Sequence, residues 1–281
     1  MEKVAIVTDS TADFELSYYE KHDVSMVPLT VRFENEMFKD WIDIKPKEFY
    51  QKLMASNVLS KTSQPTVAEF EEVYKRLSEK CSHIISIHLS SKLSGTIQSA
   101  QIASENVDIP VTIIDGKLAS LATGVLVDLA VKARDEGKTA KEIIQVVEKA
   151  SEKTKILFIV DTLKYLQLGG RIGKAQALVG SLLNVKPILT LEDGVVAPLK
   201  KVKGTKKAIQ EIVSIVKKNI NQSRPYYLVL AHGNAPDNLS YLKIVFAEAE
   251  LKPTWLVEGE IGSVIGTYTG PGAMAVVYYQ E

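Results

Sequence analysis

Ile87-His88-Leu89-Ser90-Ser91-Lys92-Leu93-Ser94-Gly95-Thr96-Ile97-Gln98-Ser99-Ala100 is the stretch on which the fold turns. It follows Ile84-Ile85-Ser86-Ile87, an apolar run that reads as a buried strand. It leads into a helical pattern with Ile97, Ala100, Gln101 and Ser104 three or four residues apart. A strand, a small polar turn and a helix form the geometry that aims free backbone N–H groups at an anion. Ser90, Ser91, Ser94 and Thr96 crowd that junction, and Gly95 leaves room for another group to approach the backbone. Ser94 has two readings here, a plain helix N-cap or part of an anion site. Three more small-polar or glycine-rich turns, each beside an apolar run, favour the second.

The same alternation runs outward in both directions. Val4 to Val7 reads as a strand and runs into Thr8-Asp9-Ser10-Thr11-Ala12-Asp13, followed by a helix from about 14 to 21. Pro28 makes the extended segment 24–31 an edge or a linker. Residues 35–41 read as polar and irregular, and Pro46 suits the first turn of a helix to about Ala55. Thr62 and Ser63 lie in a second polar turn, placed on a loop. Thr66 with Glu69 then forms a capping box before a helix carrying Phe70, Val73, Tyr74 and Leu77. Beyond the opening stretch come a strand at 110–114 ending in Asp115-Gly116, helices near 118–134 and 140–149, and a strand at 156–160. Strands alternating with helices imply a mostly parallel sheet, and ligands bind at the C-terminal ends of such strands. Thr8 to Thr11, Ser90-Ser91 and Asp115 all fall at such ends.

Near residue 161 the texture changes. Gly169-Gly170-Arg171-Ile172-Gly173 packs three glycines around one arginine, and small and apolar residues (Ala175, Ala177, Leu178, Val179, Leu182, Leu183) predict a helix after it. Asp193-Gly194 between two apolar runs is a hairpin signature, hence an antiparallel element and a second domain. The expected architecture is α/β in two domains, 1–160 with a mostly parallel sheet and 161–281 with a mixed sheet, and a ligand between them. Arg171 could pair bidentately with a carboxylate or phosphate, or serve as an interdomain ion pair. Lys200, Lys201, Lys203, Lys206 and Lys207 form the densest basic patch, either a solvated face or a docking face for an acidic partner.

Composition narrows the chemistry. The 281 residues are 46% hydrophobic but only 7% aromatic, so aliphatic side chains do most of the packing. Basic and acidic residues balance at 34 each, which lacks the basic excess of a nucleic-acid binder. One cysteine, Cys81, excludes an intrachain disulfide framework and fits a reduced, cytoplasmic setting. The N-terminus enters Lys3-Val4-Ala5-Ile6-Val7 without a signal-peptide pattern, and no run reaches the length of a membrane span, so no membrane insertion is expected. The four histidines form no metal-ligand pair; Gly-x-Ser-x-Gly, Walker and dinucleotide fingerprints are absent. What remains is anion recognition by hydroxyls, backbone N–H groups and Arg171.

Thr8-Asp9-Ser10-Thr11-Ala12, Thr62-Ser63-Gln64-Pro65, Ser90-Ser91-Lys92-Leu93-Ser94-Gly95-Thr96, Gly169-Gly170-Arg171-Ile172-Gly173 and Gly266-Thr267-Tyr268-Thr269-Gly270-Pro271-Gly272-Ala273 together resemble the DegV family, in order and spacing, from end to end. The resemblance implies a bacterial fatty-acid-binding protein of two α/β domains. It also implies a long-chain fatty acid such as palmitate as ligand, no cofactor, and a separate fatty acid kinase catalytic subunit as partner that phosphorylates the carboxylate. Thr62 and Ser94, with Gly95, resemble the carboxylate-binding residues. Ser63 and Arg171 resemble headgroup or partner contacts. Tyr268 stands where the family motif often has histidine; a phenol donates a hydrogen bond but stays neutral near pH 7. The competing reading is a stand-alone phosphotransferase or hydrolase acting on a small anionic substrate.

Overall fold

The computed structural model describes residues 3–56, 58–180 and 185–281. β1 (Val4–Asp9) runs into a 3-10 turn at Ser10–Ala12, then α1 (Leu16–Lys21) and β2 (Val24–Val27). The chain next leaves to build β3 (Thr30–Phe33), β4 (Glu36–Lys39), α2 (Pro46–Ala55) and β5 (Lys61–Ser63), a small antiparallel sheet ordered β4-β3-β5 with one helix on it. It returns through α3 (Val67–Ser78), whose capping box is Thr66 with Glu69, to β6 (His83–His88), α4 (Thr96–Ser104) and β7 (Val111–Asp115). The first sheet is ordered β2-β1-β6-β7 and every pair in it is parallel. Its edge strand β2 stops just before Pro28, where no ladder N–H is needed.

Two long helices follow, α5 (Leu121–Asp135) and α6 (Ala140–Lys153). The remaining elements are β8 (Lys155–Ile159), α7 (Lys164–Leu168), a 3-10 turn at Gly173–Leu178, β9 (Lys186–Glu192), β10 (Val195–Val202) and α8 (Thr205–Asn219). Then come β11 (Tyr227–Gly233), α9 (Pro236–Glu248), β12 (Trp255–Glu260), α10 (Ser263–Thr269) and β13 (Ala273–Tyr279). The second sheet is ordered β10-β9-β8-β13-β11-β12 and is mixed, with β11 and β12 parallel and the other pairs antiparallel. Asp193 and Gly194 both have positive φ, as a tight hairpin between β9 and β10 requires.

The layers stack in the order helices, sheet, helices, sheet, helices. Phe70, Tyr74, Ala100 and Ala103 of α3 and α4 cover the outer face of the first sheet. Ile209, Ile212, Leu242 and Phe246 of α8 and α9 cover the outer face of the second. Between the sheets lies α5, which packs on β1 and β6 and also on β11 and β13. Leu121 to Val127 are therefore buried all round, and a single core joins Ile85, Leu126, Phe158 and Ala275 across both sheets. A helix apolar on every side is what such a middle layer demands.

Four sequence expectations change. The strand 156–160 pairs with β13 and β9, so the second sheet begins at Lys155, ahead of position 160. Residues 35–41 contain β4, which Val31 and Phe33 draw into pairing. Thr62 and Ser63 lie on strand β5 rather than a loop. The helix expected after Gly173 is a 3-10 turn ending at Leu178, while Leu182 and Leu183 lie outside the described residues.

Candidate functional site

The two sheets do not close completely against each other. Between them lies a cavity of about 270 Å³. Part of its lining is aliphatic and aromatic: Ile156 and Phe158 of β8, Leu191 and Val196 of the hairpin, and Ala273 and Ala275 of β13. Val264 and Ile265 of α10 close another side. The polar residues gather from five segments: Thr62, Ser63 and Gln64 at β5, Ser94 and Gly95 before α4, Ser120 before α5, Arg171 after α7, and Tyr268 and Thr269 on α10. All six residues singled out from sequence (Thr62, Ser63, Ser94, Gly95, Arg171 and Tyr268) line this one cavity.

Their contacts show how each is held. Thr62 sits on β5 opposite Val31, and its Oγ1 lies 2.5 Å from Tyr268 Oη. The Arg171 guanidinium lies over the Tyr268 ring, 4.7 Å from its centroid. Arg171 Nε donates to the Leu93 carbonyl at 3.1 Å and Nη1 to the Gly169 carbonyl at 2.8 Å. It thus ties the two halves together through carbonyls and makes no ion pair among the described residues, which replaces the interdomain ion pair considered from sequence. Gly169 is required beside it, because a Cβ there would lie 2.4 Å from Tyr268 Cδ1.

Ser94 is not the N-cap of α4; Gly95 holds that position with no side-chain cap. The Ser94 hydroxyl accepts from Thr96 N at 3.3 Å and lies 2.9 Å from Thr96 Oγ1. Gly95 also makes room for Gln64, whose Oε1 is 2.1 Å from where a Cβ on Gly95 would stand. Gln64 Nε2 donates to Ser99 Oγ at 2.9 Å, locking β5 to α4. Sequence reasoning quoted Gln64 within a motif and gave it no role; its partner is 35 residues away.

Other residues expected at the rim are occupied elsewhere. Ser90 Oγ donates to the Gly194 carbonyl at 2.9 Å, clamping the β9–β10 hairpin onto the first sheet. Ser91 Oγ donates to Asp115 Oδ2 at 2.5 Å. In the turn after β1, Thr8 Oγ1 donates to the Ile87 carbonyl, Ser10 Oγ accepts from Leu29 N, and Asp9 Oδ1 accepts from Thr11 N and Oγ1. Asp9 Oδ2 meets His88 Nδ1 at 2.9 Å, His88 Nε2 meets Ser86 Oγ at 2.7 Å, and Tyr74 Oη donates to Ser86 Oγ at 2.8 Å. Ser86, His88 and Asp9 have the connectivity of a nucleophile, base and orienting acid. All three are fully buried, and none borders the cavity.

The start of α10 is held by two more buried acids. Asp13 Oδ1 accepts from Gly262 N at 3.1 Å, and Asp40 Oδ1 accepts from Ser263 N at 3.0 Å. Ser60 Oγ lies 2.9 Å from Thr267 Oγ1 further along the helix. These contacts fix the element that carries Tyr268.

Taken as a whole, the chain can be matched to known proteins over nearly all its length. The model of the DegV family, described as a family of uncharacterised proteins, matches residues 3–281. The chain belongs to the DegV family. A DegV domain-containing protein of Caldanaerobacter subterraneus subsp. tengcongensis is 36% identical over 282 residues, covering 100% of both chains. A DegV family protein from Thermus thermophilus, described by its fatty acid binding, superposes with a TM-score of 0.95 at 33% identity, over 99% of this chain and 100% of that one. DegV of Bacillus subtilis, described as a fatty acid binding protein, gives a TM-score of 0.91 at 33% identity over 100% of both chains. The fold of this DegV chain, and the cavity between its sheets, are thus set against proteins similar throughout.

Proposed function

We propose that this DegV protein binds one long-chain fatty acid, of which palmitate is an example, with the tail in the interdomain cavity and the carboxylate at its polar end. The observation that carries the reading is the cavity's largely apolar lining together with a polar cluster in which Thr62 and Arg171 contact Tyr268 and Arg171 reaches the Leu93 carbonyl beside Ser94. Each CH₂ removed from water contributes about 0.8 kcal/mol, so an aliphatic wall rewards a long chain. The similarity to the Thermus thermophilus and Bacillus subtilis proteins supports the same ligand class.

In this reading Tyr268 Oη–H donates to Thr62 Oγ1, which leaves the Thr62 proton free for a carboxylate oxygen. Hydrogen bonds in such a chain polarise one another and strengthen the last one. Ser94 supplies a second hydroxyl, and Gly95, which borders the cavity, lets Gln64 pack against the start of α4. Ser63 and Arg171 flank the headgroup. No metal or cofactor is needed for any of this.

The carboxylate is then presented to a separate kinase subunit. One carboxylate oxygen attacks the γ-phosphorus of ATP, the bond from that phosphorus to the β,γ-bridging oxygen breaks, and ADP leaves, giving an acyl phosphate. Arg171 Nη2, which has no hydrogen-bond partner among the described residues, offers a cation beside the reacting group. A cytoplasmic setting, where ATP is available, belongs to the same reading; no helix among the described residues is long and apolar enough to cross a membrane. The alternative of a stand-alone phosphotransferase or hydrolase gains no support from Ser86, His88 and Asp9, which are buried and do not border the cavity. Native mass spectrometry of the protein purified from a bacterial host tests the proposal. The expected species is the chain plus one fatty acid; a bare chain that also fails to take up added palmitate would refute it.

A further inference from the structure

Two aspartates meet under the start of α10 without a cation between them. Asp13 and Asp40 are both buried, and they accept from the consecutive backbone N–H groups of Gly262 and Ser263. Asp13 also accepts from Trp41 Nε1 at 3.3 Å and from Ser120 Oγ at 2.5 Å; Ser263 Oγ adds a donor to Asp40. Neither aspartate has an ion-pair partner among the described residues. Two like charges side by side in a dry site cannot both stay ionised at low cost.

We propose that Asp13 and Asp40 are positioning residues for the cavity: while α10 is docked these buried carboxyls hold a proton that they release on undocking, so docking of the helix that carries Tyr268, Val264 and Ile265 is coupled to proton uptake. The role assigned to that wall rests on the fatty-acid reading. Burial, followed by the neighbouring Asp40 charge, pushes the Asp13 carboxyl well above its usual range. Burial raises Asp40 to about 6 against the opposing hydrogen bonds from Ser263. The other ionisable groups facing the pair are Tyr19 on α1 and Tyr50 on α2; Asp9 at the end of β1 acts on Tyr19, and Glu260 at the end of β12 acts on Tyr50. Lys45 is committed to the Trp41 carbonyl at 2.6 Å. Asp13 also borders a second interdomain cleft, of about 410 Å³, which gives the proton a way to solvent.

The direction of the pH effect follows from which state holds the proton. Docked, the pair binds a proton more tightly than free carboxylates do. Undocked, water restores the ordinary range near pH 4. Raising the pH therefore favours undocking, by about tenfold per pH unit for one proton, from about pH 4 until the docked pair itself ionises. Acidification tightens the contact instead of releasing it.

Hydrogen exchange of the α10 amides in the ligand-free chain, corrected for intrinsic exchange and read from pH 5 to pH 7, tests this. The wild type should lose protection of α10 as pH rises, by about tenfold per unit at the steepest. Asp13→Asn combined with Asp40→Asn keeps an oxygen for Gly262 N and for Ser263 N but needs no proton, so α10 should stay protected with the slope abolished. Asp13→Ala should lose protection at every pH. If the double variant does not fold, Asp13→Asn alone, which leaves Asp40 to titrate, should show a shallower slope, and the wild-type slope needs no variant. Wild-type protection that does not vary with pH, a slope that survives in the folded double variant, or a slope unchanged in folded Asp13→Asn would overturn the proposal. The exchange needs no ligand. A protein that shows the proton-linked protection but never binds cis-parinaric acid upholds the coupling and refutes the fatty-acid reading.

Discussion

Two hydroxyl-bearing clusters, one on the inner strands β1 and β6 with α3 and the other on the interdomain cavity, end in opposite states. In one, Tyr74, Ser86, His88 and Asp9 form a chain of hydrogen bonds that also takes in Leu89 N and Thr11, all of it buried. In the other, Thr62, Tyr268 and Ser94 contact each other or their neighbours but border an open cavity. The residue types are alike. What separates them is whether a free face remains. A cluster whose donors and acceptors are matched inside the protein contributes stability and order; one left with a face on a cavity can bind. The Ser-His-Asp connectivity of the first cluster is therefore architecture, despite its chemical suggestiveness.

The comparison breaks most visibly if the closed cluster is opened. Asp9→Ala would strand the Thr11, His88 and Leu89 donors, and the cost of several buried unsatisfied groups is about 3 kcal/mol or more. Urea unfolding should show that loss as a lower midpoint, with fatty-acid affinity of the folded protein affected less than by changes at Thr62. A stability equal to wild type would mean the cluster is not the fastening described.

The open cluster should behave the other way. If Thr62 and Ser94 hold the carboxylate as proposed, Thr62→Ala and Ser94→Ala each remove a hydrogen bond to an ionised group, worth roughly 1.5–3 kcal/mol, so affinity should drop about tenfold or more. Their unfolding midpoints should stay near wild type, since both side chains border a cavity. If both variants bind cis-parinaric acid as the wild type does, the carboxylate is held elsewhere.

The smallest effect belongs to Tyr268. Tyr268→Phe keeps the ring under Arg171 and removes only the bond to Thr62. One neutral hydrogen bond is worth about 1 kcal/mol, so affinity should fall about fivefold. An unchanged dissociation constant in a fluorescence titration would show that Thr62 acts without the phenol.

How much of this could be read beforehand depends on the range of the interaction. Local chemistry was legible: the capping box at Thr66 and Glu69, Pro46 at the start of α2, and the turn at Asp193-Gly194 all form as their residue types dictate. Ser94, Gly95 and Arg171 stood out from their own turns, the family resemblance gave Thr62, Ser63 and Tyr268 their site roles, and the structure gathers all six in one cavity. Partnership across the chain was not legible. An apolar strand such as Ile156 to Ile159 reads alike in either sheet, and only pairing with β13 decides its place. The α10 segment is rich in glycine and β-branched residues, a poor helix sequence; Asp13, Asp40 and the close fit of Gly266 against Phe49 and Tyr50 hold it helical. Ser90 and Ser91 looked like ligand groups because the hairpin and Asp115 that consume them are distant in sequence or on another strand.

The central claim is that the cavity holds an alkyl tail while its polar end holds the carboxylate. Displacement of cis-parinaric acid by saturated acids of increasing length, from C8 to C16, tests it most directly. Affinity should climb with each added CH₂, by about 0.8 kcal/mol at most, until the cavity is full. Equal affinity for the C8 and C16 acids would contradict the account.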